Sequence, residues 1–231
     1  EYDGPFIEPL ELYAAKSGEE LVKKQSFTFE DRGGESVALR PELTPSLARM
    51  IAAKQGELNF PARWWSFGPF WRYESPQRGR TREFFQWNID MLGVDSPEAD
   101  AELIAAGAAF LRSVGLSPSL AQISVNNRRL MDSQFDALDI PAEKRVDVSN
   151  LVDRRAKMES AKWDAYALEI GLNQKQLDGL KSLLGNFDLW KQSDELTRTF
   201  AALEALGVKD YVKFDPNIMR GLLYYTGTVF E

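Results

Sequence analysis

Apolar and polar residues alternate along two stretches of the chain, RWWSFGPFWRY from Arg63 and EFFQWNIDMLG from Glu83, with the basic run ESPQRGRTR between them. Period-two alternation is the signature of strands, so Arg63–Gly93 reads as strand, loop, strand. On the second strand Phe84, Gln86, Asn88 and Asp90 share one face, while Phe85, Trp87, Ile89 and Met91 share the other. Three polar residues on one face fit a solvated surface. They also fit a strand inside a sheet, where polar groups need partners that a bound polar ligand would supply. The aromatic opposite face, followed by Leu92 and Gly93, points to the interior strand.

The rest of the pattern extends this outline. Glu1–Leu12 begins extended, with Pro5 and Pro9 opposing a helix. Phe27–Arg40 has the alternation of a hairpin turning at Gly33-Gly34. Thr44 is an N-cap candidate with Pro45 in the first helical position, Leu47, Met50 and Ile51 on one face, and Gly56 as the stop. Ser96-Pro97 opens a helix to about Val114, ended by Gly115; Gln122–Val125 is a short strand before Asn126-Asn127. From Arg128 to Trp190 the texture is helical, with candidate starts at Pro141 and Asn173. Ser193 caps a further helix closed by Gly207, and Tyr211–Phe214 and Leu222–Phe230 read as strands. The predicted architecture is α+β: a largely antiparallel sheet flanked by helices. Its expected divisions are a core over 1–127, a helical insertion over 128–190, and a return to the core over 191–231.

Composition narrows the chemistry. A chain of 231 residues, 44% hydrophobic, can bury a full core. No apolar run is long enough to span a bilayer and no secretory signal opens the chain, so a cytoplasmic protein is expected. The starts and stops at Glu1 and Glu231, each within an extended segment, read as those of a piece of a longer polypeptide. The absence of cysteine and histidine excludes disulfides, thiolate chemistry and Ser-His or Cys-His nucleophiles within this stretch. A net charge of −7 argues against a general nucleic-acid coat but leaves room for a local basic patch. What remains is chemistry run by Arg, Lys, Glu, Asp and backbone groups.

Such groups cluster in three places. Arg78, Arg80 and Arg82 surround Gly79 on the central loop, either as a phosphate clamp or as a charged hairpin tip. Arg72, amid Phe70, Trp71 and Tyr73, needs a counter-charge, which a bound anion or Glu74 would provide. Glu42 precedes a helix start, where a carboxylate also serves the helix dipole. Near the end, Arg220-Gly221 leads into a strand with Tyr224 and Tyr225, residues that in strands are most often packing, and Gly227 permits a close approach. Walker and dinucleotide motifs are missing.

Three ordered blocks, FTFEDRGGESVALRPELTPSLARM, WRYESPQRGRTREFFQWNIDMLG and RGLLYYTGTVFE, resemble those of histidyl-tRNA synthetases. The second is similar to motif 2 of class II synthetases generally, and the third is particular to the histidine enzymes. The resemblance implies a class II aminoacyl-tRNA synthetase-like fold and ATP-dependent ligation of histidine to tRNA(His) through a histidyl-adenylate. By position, Arg72 resembles the arginine on the α-phosphate of ATP, Glu74 the residue meeting adenine, and Arg80 the one reaching the far phosphates. The loop itself would approach the tRNA acceptor end. Glu42 and Thr44 match residues that meet the substrate ammonium, Gln86 and Asp90 those flanking the histidine, and Tyr224 and Tyr225 the imidazole pocket. Arg220 matches an arginine bridging the substrate carboxylate and the α-phosphate. Mg²⁺ would bridge the phosphates with no protein ligand named, and a homodimer is implied.

The chain also departs from the family pattern. Leu223 stands where an acidic residue is usual, Asp90 where Glu is more common, and Asn88 where glycine is common. Tyr73 and Phe85 replace usual histidines. Motif 3, the second histidine-pocket block and the anticodon-binding domain are not represented. Leu223 and the missing anticodon domain suit an alternative, a non-catalytic paralogue such as the histidine-sensing regulatory subunit of ATP phosphoribosyltransferase. Retention of Arg72, Arg80, Glu42, Thr44, Gln86 and Arg220 suits the enzyme.

Overall fold

A computed structural model of the chain describes residues 1–14, 25–75, 77–219 and 226–231. They divide into two units, Glu1–Val94 and Asp95–Glu231.

In the first unit, strand β1 (Ile7–Pro9) runs directly into helix α1 (Leu10–Ala14). The sequence expectation for Glu1–Leu12 is an extended start with its prolines opposing a helix. Pro9 ends the strand instead and leaves the helix to begin at the next residue, where no proline interrupts it. The predicted hairpin forms from β2 (Thr28–Glu30) and β3 (Ser36–Leu39), registered from Thr28↔Ala38 to Glu30↔Ser36. Gly34, at φ +84°, takes the left-handed conformation of the turn. β1 pairs with the other edge of β3, giving the order β1-β3-β2. Helix α2 (Thr44–Lys54) starts one residue earlier than expected, after Leu43, with no side-chain cap. Thr44 is therefore the first helical residue, and its exposed side chain is not used as a cap. Gly56 falls in the 3-10 turn Gln55–Glu57 that follows.

β4 (Ala62–Trp71) and β5 (Glu83–Leu92) form the long antiparallel pair that the alternation predicts, from Ala62↔Leu92 to Trp71↔Glu83. Arg72 lies just beyond β4, and its N–H still bonds Arg82 O at 2.9 Å. The far edge of β4 is partly paired: Tyr2 N–H bonds Trp65 O at 2.9 Å, and Trp71 N–H bonds Arg40 O at 3.1 Å. Coverage of the two faces differs from the interior strand expected. Phe67 and Phe85, each 61% exposed, stack on an open face, whereas Ser66 and Phe70 are buried opposite it. Phe84, Gln86, Asn88 and Asp90 are half-buried on the covered side.

Arg40 packs against the covered face. It is fully buried, donating from Nε to Pro69 O (3.0 Å) and from NH1 to Asp3 Oδ1 (2.7 Å) and Gly4 O (2.8 Å). Its guanidinium carbon also lies 4.5 Å from the Phe6 ring centre and 4.8 Å from that of Phe70. β4 makes room for it with Gly68, where an added Cβ would come within 2.6 Å of Arg40 NH2. A group held by these bonds cannot swing aside cheaply. Gly68→Ala is therefore expected to destabilise the protein by about 1–3 kcal/mol, read as a lower urea midpoint. An unchanged midpoint would mean that the guanidinium gives way.

The second unit opens with α3 (Pro97–Ser113), where Ser96 Oγ accepts from Ala99 N–H as the predicted cap. β6 (Ile123–Asn127) leads into α4 (Arg128–Ala137), which Asn127 caps. Helices α5 (Arg145–Asp153), α6 (Ser160–Glu169) and α7 (Gln174–Leu184) follow, the last opened by a reciprocal Asn173–Gln176 capping box. α8 (Asp194–Ala205), capped by Ser193, precedes β7 (Val212–Phe214) and β8 (Thr228–Phe230). β6 is central in this small sheet, parallel to β7 and antiparallel to β8. One hydrophobic cluster joins Ile104 of α3, Phe135 of α4, Leu151, Trp163, Leu180, Leu203 of α8 and Phe214. The helices between 128 and 190 thus share their cluster with α3, α8 and the sheet. Among the described residues, no helix is long and apolar enough to cross a membrane.

Candidate functional site

The covered face of the β4–β5 pair carries candidate residues in a row. Phe84, Gln86, Asn88 and Asp90 follow one another at every second position of β5, and a cleft opens near each end of the row.

The first cleft, about 370 Å³, is lined by Arg72, Glu74, Arg80, Thr81, Phe84 and Phe85, with Gly79 of the loop. Arg72 reaches it from the residue after β4. Its Nε donates to Pro41 O at 3.0 Å, and its guanidinium carbon lies 5.2 Å from the centre of the Phe84 ring. Glu74, one candidate for its counter-charge, accepts from Arg80 NH1 instead, at 3.3 Å. Among the described residues no carboxylate forms an ion pair with Arg72. On the loop, Gly79 turns with φ +78°, and Arg82 stacks on Tyr73 at 4.2 Å, away from the cleft lining. Two guanidinium groups, a glutamate and an aromatic ring around one opening suit a polyanion attached to a planar base.

The second cleft, about 380 Å³, lies between α2 and the end of β5 and brings Thr44 and Asp90 together. Leu47, Ile51, Phe60 and Leu92 make its walls apolar. Burial pushes the Asp90 carboxyl above its ordinary range, and a hydrogen bond from Tyr2 works in the opposite direction. Gln86 stands between the two clefts and faces Gly68 in the ladder, where the Arg40 guanidinium takes the place of an opposing side chain. Asn88 faces Ser66, and its buried Nδ2 has no hydrogen-bond partner among the described residues. Glu42 is half-buried in the turn before α2, next to the Pro41 carbonyl that holds Arg72. Among the described residues no group of three or more acidic side chains could hold a metal ion.

The structure therefore gathers Arg72, Glu74 and Arg80 in one cleft and Thr44 and Asp90 in the other. Arg220, Tyr224 and Tyr225, with Leu223, lie outside the described residues. Two further residues join these sites. Phe84, which the alternation marks only as part of a strand face, lines the first cleft beside Arg72, and an aromatic close to the arginine-rich loop is the sequence signal for it. Tyr2 is 88 residues from its partner Asp90, and no local pattern joins them.

Comparison with known proteins gives a consistent result. The family model described as histidyl-tRNA synthetase matches residues 3–231. A histidine–tRNA ligase of Haloarcula marismortui is 40% identical over 245 residues, covering 98% of this chain and 55% of that protein. The crystal structure of a histidyl-tRNA synthetase from Nostoc sp. PCC 7120 superposes with a TM-score of 0.82 at 25% identity, covering 100% of this chain and 56% of the other. A structure from Bacillus halodurans, described as an ATP phosphoribosyltransferase regulatory subunit/histidyl-tRNA synthetase, reaches 0.83 at 22% identity, covering 100% and 62%, and shows the likeness of fold alone. The chain spans about half the length of the curated relatives it matches.

Proposed function

The chain belongs to the histidyl-tRNA synthetase family and has its class II α+β fold, and from that premise we propose that the protein is a histidine–tRNA ligase. In this reading it joins histidine to ATP as histidyl-adenylate and passes the histidyl group to the acceptor end of tRNA(His). The observation that carries the proposal is Arg72, tethered to Pro41 O beside Phe84 in a cleft shared with Glu74 and Arg80.

The chemistry calls for these groups. The histidine carboxylate attacks the α-phosphorus, the bond to the β-phosphate oxygen breaks, and pyrophosphate departs. Negative charge builds on the α-phosphate oxygens, where a fixed guanidinium stabilises it more in the transition state than in the ground state. Arg72 takes that role, with Arg220 bridging the carboxylate and the α-phosphate. Glu74 meets adenine, Phe84 stacks on it, and Arg80 holds the far phosphates. Glu42 and Thr44 receive the ammonium, Gln86 and Asp90 flank the histidine, and Tyr224 and Tyr225 form the imidazole pocket. No protein nucleophile is required. Mg²⁺ enters with ATP as part of the substrate.

Further elements of the proposal follow the family. Residues 128–190 act as a helical insertion within the catalytic core, the active species is a homodimer, and the activity is cytoplasmic. The test is histidine-dependent exchange of pyrophosphate into ATP by the full-length protein. Exchange that requires histidine and no other amino acid supports the ligase. Histidine binding without exchange would replace it with a histidine-sensing paralogue.

A further inference from the structure

Asp90 does not face the second cleft unaided. The phenol of Tyr2 donates a 2.7 Å hydrogen bond to Asp90 Oδ2. It reaches across β4 from a segment fixed to that strand by the 2.9 Å bond from Tyr2 N–H to Trp65 O. The Tyr2 ring leans on Trp64, with ring centres 5.7 Å apart, and Trp64 is the residue opposite Asp90 in the ladder. Three neighbouring stretches of backbone thus converge on one carboxylate.

An aspartate at a cleft wall has two side-chain torsions and two equivalent oxygens. A donor that is itself held by a backbone bond and a ring contact removes much of that freedom. It commits Oδ2 to the phenol and turns Oδ1 into the oxygen the cleft can use. The bond also favours the ionised carboxylate against the burial that opposes it. Burial and the same hydrogen bond push the Tyr2 phenol well above its ordinary range, which keeps it a donor.

We propose that Tyr2 is a positioning residue for the amino-acid pocket, holding Asp90 so that Oδ1 accepts an N–H from the side chain of the substrate. The class of ligand selected is an amino acid whose side chain carries a ring N–H, and the proposal rests on the ligase reading above. Tyr2 lines neither cleft itself, so it acts through Asp90.

The test uses Tyr2→Phe and Tyr2→Leu in the full-length protein, assayed by pyrophosphate exchange. Tyr2→Phe keeps the ring on Trp64 and removes only the O–H. It should raise KM for histidine about tenfold, the scale of a lost hydrogen bond to a charged group. KM for ATP and kcat should stay within about twofold of wild type. Tyr2→Leu, which also removes the ring, should raise KM for histidine at least as far. An unchanged KM in Tyr2→Phe beside a raised one in Tyr2→Leu would reduce Tyr2 to packing and overturn the proposal. So would a parallel rise in both substrates' KM values. Failure of the ligase reading looks different, because the wild-type protein would then show no histidine-dependent exchange at all.

Discussion

Replacing Arg72 with alanine is expected to lower histidine-dependent pyrophosphate exchange by about a hundredfold or more, the scale seen when a fixed donor to developing negative charge is removed. The geometry supports a large effect. Arg72 is tethered through Nε to Pro41 O, which leaves the fork of its terminal nitrogens for a ligand, and no carboxylate among the described residues pairs with it. Arg80 cannot substitute, since it sits on an exposed loop and is engaged with Glu74 at 3.3 Å. Arg72→Lys keeps the charge but loses the two-pronged geometry, so only part of the activity should return. Stability should fall little, by about 1 kcal/mol for the bond to Pro41, and a thermal melt checks that the loss lies in catalysis. Exchange at the wild-type rate in Arg72→Ala would remove this residue from the mechanism.

The second large effect concerns folding. Arg40→Ala is expected to destabilise the protein by roughly 3–5 kcal/mol, the scale for truncating a large buried side chain and leaving buried acceptors unpaired. Little of that comes from Asp3, whose side chain is 59% exposed and can be rehydrated. Most comes from the buried end. Pro69 O and Gly4 O lose their donor, and the space between Phe6 and Phe70 is left empty. Arg40→Met, which refills the space without the charge, should recover part of the loss. Urea unfolding of the full chain measures both variants. A shift below about 1 kcal/mol for Arg40→Ala would show that the surrounding chain closes over the gap.

What could be read in the sequence was local. Ser96-Pro97 and Gly115 bracket α3 because capping and left-handed termination depend on residues within a turn of each other. Asn173 announces α7 for the same reason. Alternation correctly grouped Phe84, Gln86, Asn88 and Asp90, since strand geometry alone decides which residues share a face. It could not say which face is covered, because the groups that lie on it, Arg40 at Gly68 and α2 at Asp90, come from distant parts of the sequence. The start of α1 at Leu10 escaped for a subtler reason. Proline opposes a helix that runs through it but not one that begins after it. The site was legible to a similar extent: the arginines and carboxylates stood out by type, whereas their division between two clefts required the fold.

The bond from Arg72 Nε to Pro41 O has one more consequence. It ties the residue assigned to the phosphates to the turn that carries Glu42, assigned to the ammonium. A ligand that shifts either end works against the same bond, so coupling between the phosphate and ammonium groups is expected. ATP should then alter the affinity for histidine, and histidine must alter the affinity for ATP by the same factor, since coupling between binding sites is reciprocal. A titration of each substrate with and without the other would read that factor twice.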